Sequence, residues 1–210
     1  FLYHKLVKTV REAMAAAAEG LRRVRIPSPE RRLKNYPHQF SGGMRQRVVT
    51  AMAIGCSPRL LIADEPTTAL DVTIQAQILD LIADLVAERG MALILISHDL
   101  GVIAENVDRM LVMYGGTVVE RGTTREVFAR RAHPYTRGLF EARPRLGGDR
   151  GAPLATIAGT VPELADLPAG CAFADRCTLA IDACRAAAPP EFVLGDGHAA
   201  RCIRIGEARG

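Results

Sequence analysis

An apolar run Leu60-Leu61-Ile62-Ala63, an amphipathic stretch over 72–88 and a second apolar run over 91–97 together narrow the possible folds more than any other feature of this chain. The first run is short and continuous, the kind that forms strands covered on both faces of a parallel sheet. Between the runs, Ile78, Leu81, Ile82 and Leu85 recur at i, i+3, i+4 and i+7, and Gly90 closes the helix they define. Strand, helix and strand in so short a length require a crossover connection, hence parallel pairing. Ligand chemistry then gathers at the carboxyl ends of the strands. The expected fold class is α/β.

Other elements fall on either side. Leu6, Val7, Val10, Met14, Ala17, Ala18 and Leu21 stripe a helix over 5–24. Pro27, Pro29 and Pro37 make 26–40 loop, short helix and loop, and Ser41 is an N-cap for a helix running to about Cys56 with Val48 and Met52 on its apolar positions. Cys56 is expected as a small buried hydrophobe. Residues 99–106 predict a helix, 109–113 and 117–120 two strands around Gly115-Gly116, and 124–130 a short helix. From His133 onward, prolines at 134, 144, 153, 162 and 168 and glycines at 138, 147, 148, 151, 159 and 170 mark a loop-rich extension.

With 210 residues, 49% hydrophobic and 24% charged, the chain has room for one substantial domain and a small appendage. No apolar run reaches the roughly 18 residues that span a bilayer, so a membrane would be reached through partners. The net charge of +4 is carried by scattered arginines, which favours a solvated face over a nucleic-acid footprint. The chain opens at Phe1 with no secretory pattern, and five cysteines in that setting point away from a disulfide framework.

The chemistry-bearing residues cluster around the strand ends. Asp64 and Glu65 close the first apolar run, where one acid can hold Mg²⁺ and its neighbour orient a water toward a phosphate. The same pair would also favour the start of a following helix through its dipole. Ser41-Gly42-Gly43 offers unobstructed N–H groups at a helix N-terminus, an anion site, although glycines there also simply make a turn. His98 follows the second strand as a catalytic group or a satisfied polar residue. Asp71 is a loop ligand or the N-cap of the 72–88 helix.

Taken in order, Ser41-Gly42-Gly43-Met44-Arg45-Gln46-Arg47, Leu60 to Pro66, Ala69-Leu70-Asp71 and Ile96-Ser97-His98-Asp99 resemble the motifs of the nucleotide-binding subunit of ABC transporters. The resemblance implies a RecA-like P-loop NTPase fold with ATP and Mg²⁺ as cofactors. Ser41, Gly42 and Gly43, with Gln46 beside them, would contact the γ-phosphate of ATP held by a second ATPase subunit, identical or a paralogue. Asp64 would hold Mg²⁺ through water, Glu65 would polarise the attacking water, Asp71 would lie in the loop linking the subunits, and His98 would sense the γ-phosphate. Phe40 and Met44 replace the family's commoner Leu and Gln. No G-x-x-x-x-G-K-[ST] loop is present, and Lys5, Lys8 and Lys34 all lack a preceding glycine. A segment of roughly 100 residues or more is therefore expected upstream. The chain by itself is expected to be inactive and able only to complete a partner's site.

Cys171, Cys177, Cys184 and Cys202 form the ladder C-x₅-C-x₆-C-x₁₇-C. Four cysteines so spaced suit a metal or an iron–sulfur cluster, and spacings wider than C-x₂-C favour the cluster over zinc. Two disulfides or four free thiols are the alternatives. His133-Pro134-Tyr135-Thr136-Arg137, Gly159-Thr160-Val161-Pro162 and Gly170-Cys171-Ala172-Phe173 with Arg176-Cys177 are similar to the C-terminal extension of the oligopeptide and dipeptide importer ATPases. That resemblance implies a [4Fe–4S] cluster on the four cysteines, a pair of transmembrane permeases, an extracytoplasmic solute-binding protein and a peripheral place on the cytoplasmic face of the membrane. The expected organisation is a helical-subdomain remnant with the signature helix at 1–56, a RecA-like core at 57–132 and the cysteine-rich extension at 133–210. The rival expectation is a non-catalytic metal- or cluster-binding interaction module derived from such an ATPase.

Overall fold

A computed structural model describes residues 9–143, 156–195 and 197–207. The chain divides into two compact units, Phe1–Asp99 and Leu100–Gly210. Residues 5–8 of the first predicted helix, with Lys5, Leu6, Val7 and Lys8, lie outside the described residues, as do 144–155 of the extension.

In the first unit, helix α1 (Val10–Arg23) begins at a reciprocal cap. The Glu12 N–H donates to Thr9 Oγ1 at 3.2 Å and the Thr9 N–H to Glu12 Oε2 at 2.9 Å. Its buried face is Ala13, Ala18 and Leu21, whereas Val10 and Met14 are exposed, so the expected stripe is displaced. Residues Ala15 to Ala18 give no polar contrast from which the facing side could be read. Short helix α2 (Pro29–Arg32) and a 3₁₀ turn at Pro37–Gln39 lead to α3 (Gly42–Ile54). Cys56 is exposed, contrary to expectation, because the helix has ended at Gly55 and the cysteine sits in the turn closed by the Ser57 N–H to Ile54 carbonyl bond.

Strand β1 (Leu60–Asp64), helix α4 (Val72–Arg89) and strand β2 (Ala92–Ile96) form the predicted crossover, with the strands parallel and in register from Leu60↔Ala92 to Asp64↔Ile96. Gly90 ends α4 in the left-handed region at φ +59°, where a side chain would be strained. Leu61 and Ala63 pack with Ile78 and Ile82 of α4. A second cluster joins Leu21, Val24 and Ile26 to Ala51, Ile54, Leu81, Leu85 and Met91. The continuous apolar run predicted strands covered on both faces, but Leu60, Ile62, Ile94 and Ile96 are exposed. Helix α4 covers one face of a two-stranded sheet, and among the described residues of this unit the other face carries the exposed Leu60, Ile62, Ile94 and Ile96.

The second unit contains α5 (Leu100–Asn106), hairpin strands β3 (Arg109–Tyr114) and β4 (Thr117–Thr123), α6 (Thr124–Arg130), α7 (Pro134–Glu141), α8 (Asp182–Ala186), β5 (Phe192–Gly195) and β6 (His198–Ala200). Gly115 and Gly116, both at positive φ, make the two-residue turn, and both strands run longer than predicted. The extension is not all loop. Strand β6 pairs antiparallel with β4 and β5 pairs with β6, so the sheet order is β3-β4-β6-β5.

Burial separates two isoleucines of the first unit. Ile78 is completely buried, so Ile78→Ala is expected to cost about 2–5 kcal/mol in denaturant unfolding. Ile62 is 60% exposed, and Ile62→Thr is expected to change stability by less than about 0.5 kcal/mol while lowering binding of an apolar dye.

Candidate functional site

Two adjacent parallel strands end side by side, and their C-terminal loops carry the acids and the histidine. Asp64 closes β1 and is exposed. Glu65 turns the chain at φ +46°, an unusual value for a side-chain-bearing residue that costs on the order of 1–2 kcal/mol. That conformation is held by the Glu65 N–H, which donates to the Ile96 carbonyl at 3.0 Å. It aims the carboxylate at His98: Nδ1 lies 2.8 Å from Oε1 and 2.9 Å from Oε2, and the His98 N–H donates to Oε1 at 3.1 Å. Thr68 Oγ1 donates to Oε2 at 3.0 Å.

The hydrogen bond to His98 holds the Glu65 carboxyl below the usual carboxylate range, and the same bond raises the His98 imidazole. Both groups face solvent, with the His98 side chain 79% exposed, so water and salt screen the attraction. A carboxylate engaged in this way is oriented and deprotonated but not free: an incoming water would have to take over a position now occupied by His98 or Thr68. Sequence reasoning placed Glu65 and His98 near each other by topology but missed their contact, and it missed Thr68 altogether. The only signal for Thr68 was a hydroxyl three residues past Glu65 in a loop forced to turn back by Pro66.

Ser41 caps α3, its Oγ accepting the Met44 N–H at 3.3 Å. Asp71 caps α4, accepting the Ile74 N–H at 2.9 Å, so the plain structural reading of this residue holds. These caps adjoin. A Cβ on Gly42 would lie 3.2 Å from Leu70 Cδ2, and one on Gly43 only 2.6 Å from Ile74 Cγ2. Close approach to the start of α4 therefore requires glycine at Gly43 whatever the ligand. Gln46 is half-buried within α3, and its carbonyl accepts from Thr50 Oγ1 at 3.0 Å.

In the second unit the four ladder cysteines line one cavity together with His133 and Pro134. All five cysteines of the chain are free thiols, so the two-disulfide alternative is not the one adopted. Burial pushes the Cys171 and Cys177 thiols up and takes Cys202 to about 11. The Arg204 N–H donates to Cys202 Sγ at 3.3 Å, and amides also reach the sulfurs of Cys171 and Cys177. Two walls meet through backbone, the Cys171 N–H donating to the Cys184 carbonyl at 2.7 Å. A Cβ on Gly170 would lie 2.3 Å from that same oxygen, which excludes any larger residue there. Among the described residues, however, no three His, Cys, Asp or Glu side chains form a group placed to hold a metal ion. The thiols share a cavity with amide donors suited to thiolate, while their present arrangement falls short of a ligand set. Among the described residues, too, no helix is long and apolar enough to cross a membrane.

Comparison with known proteins bears on both units. Residues 3–68 match the ABC transporter family model, and residues 119–184 match that of the oligopeptide/dipeptide transporter C-terminal region. A Brucella melitensis protein named for peptide import and ATP binding is 56% identical over 199 residues, covering 92% of this chain and 59% of the relative. The dipeptide transport ATP-binding protein of Escherichia coli is 50% identical over 186 residues, covering 89% of this chain and 57% of its own length. The chain thus spans less than two thirds of the length of these curated relatives. Among solved structures, cbiO1 of Clostridium perfringens, part of an ABC transporter complex, superposes with a TM-score of 0.52 at 28% identity, covering 60% of this chain and 49% of its own. An ATP-binding cassette solved as a dimer with ADP and phosphate superposes at 0.50 with 29% identity, covering 58% and 51%.

The contact between Glu65 and His98 sets a titration. His98 is expected to titrate above the ordinary histidine value of about 6.5, and Glu65→Gln to bring it down, because the carboxylate favours the protonated ring. An NMR titration of the His98 ring checks this.

Proposed function

The chain belongs to the ATP-binding proteins of ABC transporters, in the branch with the oligopeptide/dipeptide transporter C-terminal region, and from that premise we propose that it is the ATP-hydrolysing subunit of a peptide importer. The observation that carries the reading is the Glu65–His98 pair at the ends of two parallel strands, with Asp64 exposed beside it. Residues 1–56 serve as helical-subdomain sequence with the signature helix, 57–132 as the RecA-like core and 133–210 as the importer-type extension.

ATP with Mg²⁺ supplies the phosphoryl group and neutralises its charge. Asp64 offers an exposed carboxylate suited to hold Mg²⁺ through water. Glu65, already deprotonated by its partners, orients the attacking water and accepts its proton once His98 turns toward the γ-phosphate. Ser41, Gly42 and Gly43, with Gln46 on the same helix, present the N-terminus of α3, whose Met44 N–H is capped by Ser41, to a nucleotide held by a second ATPase subunit. Asp71 holds the start of α4 against those glycines and so ties the signature to the loop that follows Glu65. Within these 210 residues no Gly-Lys phosphate loop is present, so the chain alone completes a partner's site and does not turn over. Two permeases embedded in the membrane and an extracytoplasmic peptide-binding protein complete the importer, with this subunit on the cytoplasmic face.

Cys171, Cys177, Cys184 and Cys202 are assigned to a [4Fe–4S] cluster, zinc being the alternative metal. Support comes from the shared cavity and the amides facing sulfur. No step of hydrolysis is routed through these residues.

Phosphate release by the pure 210-residue chain is expected to be absent, and measurable hydrolysis would overturn the assignment of a shared site. In an assembly that also supplies a phosphate loop, Glu65→Gln is expected to lower kcat by roughly 10²-fold or more with nucleotide still bound. Anaerobically purified protein is expected to carry iron with visible cluster absorption. Stoichiometric zinc would replace the cluster reading, and absence of both metals would remove it.

A further inference from the structure

Glu120 of β4 is 1% exposed, a position that acids almost never occupy unless fully satisfied. Three donors or partners converge on it. Oε1 accepts the Ala132 N–H at 2.8 Å and lies 2.8 Å from His198 Nε2, while Oε2 accepts the His133 N–H at 2.9 Å. His198 of β6 and His133 at the start of α7 are themselves buried, at 0% and 1% exposure.

These partners lie in or next to two of the segments that wall the cysteine cavity; the third, 171–189, carries Cys171, Cys177 and Cys184. His133 and Pro134 line it directly. Four residues beyond His198, Cys202 lines it from the other side, delivered by a strand whose register to β4 is Glu120↔Ala200 and Arg121↔Ala199. The pairing continues as the Arg201 N–H donates to the Val119 carbonyl at 2.8 Å. Room for His198 is made at Gly122, where a Cβ would stand 3.1 Å from the ring and 3.3 Å from the His198 Cα.

A strand only three residues long specifies register weakly, and a well-packed apolar group at position 120 would serve stability as well as a buried carboxylate does. A carboxylate adds direction: its two oxygens fix where the 132–133 turn and β6 stand. We propose that Glu120 is a positioning residue of the cysteine cavity, holding the His133 turn and the Cys202 strand in the relation that brings Cys202 to the space lined by Cys171, Cys177 and Cys184. This rests on the reading of that cavity as a ligand site for thiolate, and it concerns how the site is built, not which metal it takes.

The test uses the whole 210-residue chain as purified, with iron and zinc content measured first, then freed of metal under reducing conditions. Alkylation of each cysteine by a small neutral reagent is followed by mass spectrometry, with exposed Cys56 as internal reference. In Glu120→Gln, Cys202 is expected to react roughly tenfold faster relative to Cys56, and whichever of the Ala132 and His133 amides faces the carboxamide NH₂ to lose exchange protection by a similar factor, because Gln keeps only one acceptor oxygen where the two amides used two. Val112→Ala, a core truncation in β3, serves as the comparison for general destabilisation. An unchanged Cys202 rate in Glu120→Gln, or an equal acceleration in Val112→Ala, overturns the proposal. Should Glu120→Gln fail to fold, His198→Gln is read in the same way, because it weakens only the β6 arm. The metal content decides the ligand reading separately, since either result for iron and zinc leaves the alkylation comparison intact.

Discussion

The parallel pairing of β1 with β2 is the constraint on which the first unit depends. Five residues on each side in strict register bring Asp64 level with Ile96, so Glu65 can close onto the Ile96 carbonyl and the next turn of chain sets His98 against the Glu65 carboxylate. Shifting that register by one residue would turn Leu61 and Ala63 away from Ile78 and Ile82 and reverse every side chain along the strand. The same burial that stabilises the sheet therefore also fixes the chemistry at its end. The backbone strain at Glu65 is tolerated because its amide and its carboxylate are both engaged.

Two glycine positions show how packing and binding can ask for the same residue. Gly43 is required by Ile74 at the start of α4, independently of any phosphate, and a bare backbone at a capped helix N-terminus is also what an anion needs. Structure and recognition thus coincide at Ser41-Gly42-Gly43, and the docking of α3 on α4 gives the signature a fixed place relative to Asp71. In the second unit, Gly170 and Gly122 play comparable parts, letting backbone approach the Cys184 carbonyl and letting His198 approach β4 closely.

Much of this was legible from residues alone. The 72–88 helix with its glycine stop, the hairpin at Gly115-Gly116 and the 124–130 helix follow from periodicity and turn chemistry, and the structure has them as α4, β3–β4 and α6. The α1 face is only partly as expected, with Ala18 and Leu21 buried but Val10 and Met14 exposed, because a run of alanines carries no polar contrast. Cys56 was misread because the helix stops at Gly55, before the cysteine can turn inward. Strand β6 was invisible: His198-Ala199-Ala200 has neither length nor alternation, and it is a strand only because β4 and β5 lie beside it.

What the sequence determined by itself was the local grammar and the family: the crossover unit, the helix caps at Ser41 and Asp71, the ordered acids and histidine, and the cysteine ladder. Each of these depends on neighbours within a few residues or on a pattern that survives without coordinates. Only the tertiary structure decided which groups meet. Glu65 with His98, Glu120 with His198, and Cys202 with the three cysteines of 171–184 are brought together from places distant in the chain, while Thr68 beside Glu65 and the 132–133 amides on Glu120 come from nearer ones. Such contacts are set by burial and register, and neither quantity is written in any one stretch of sequence.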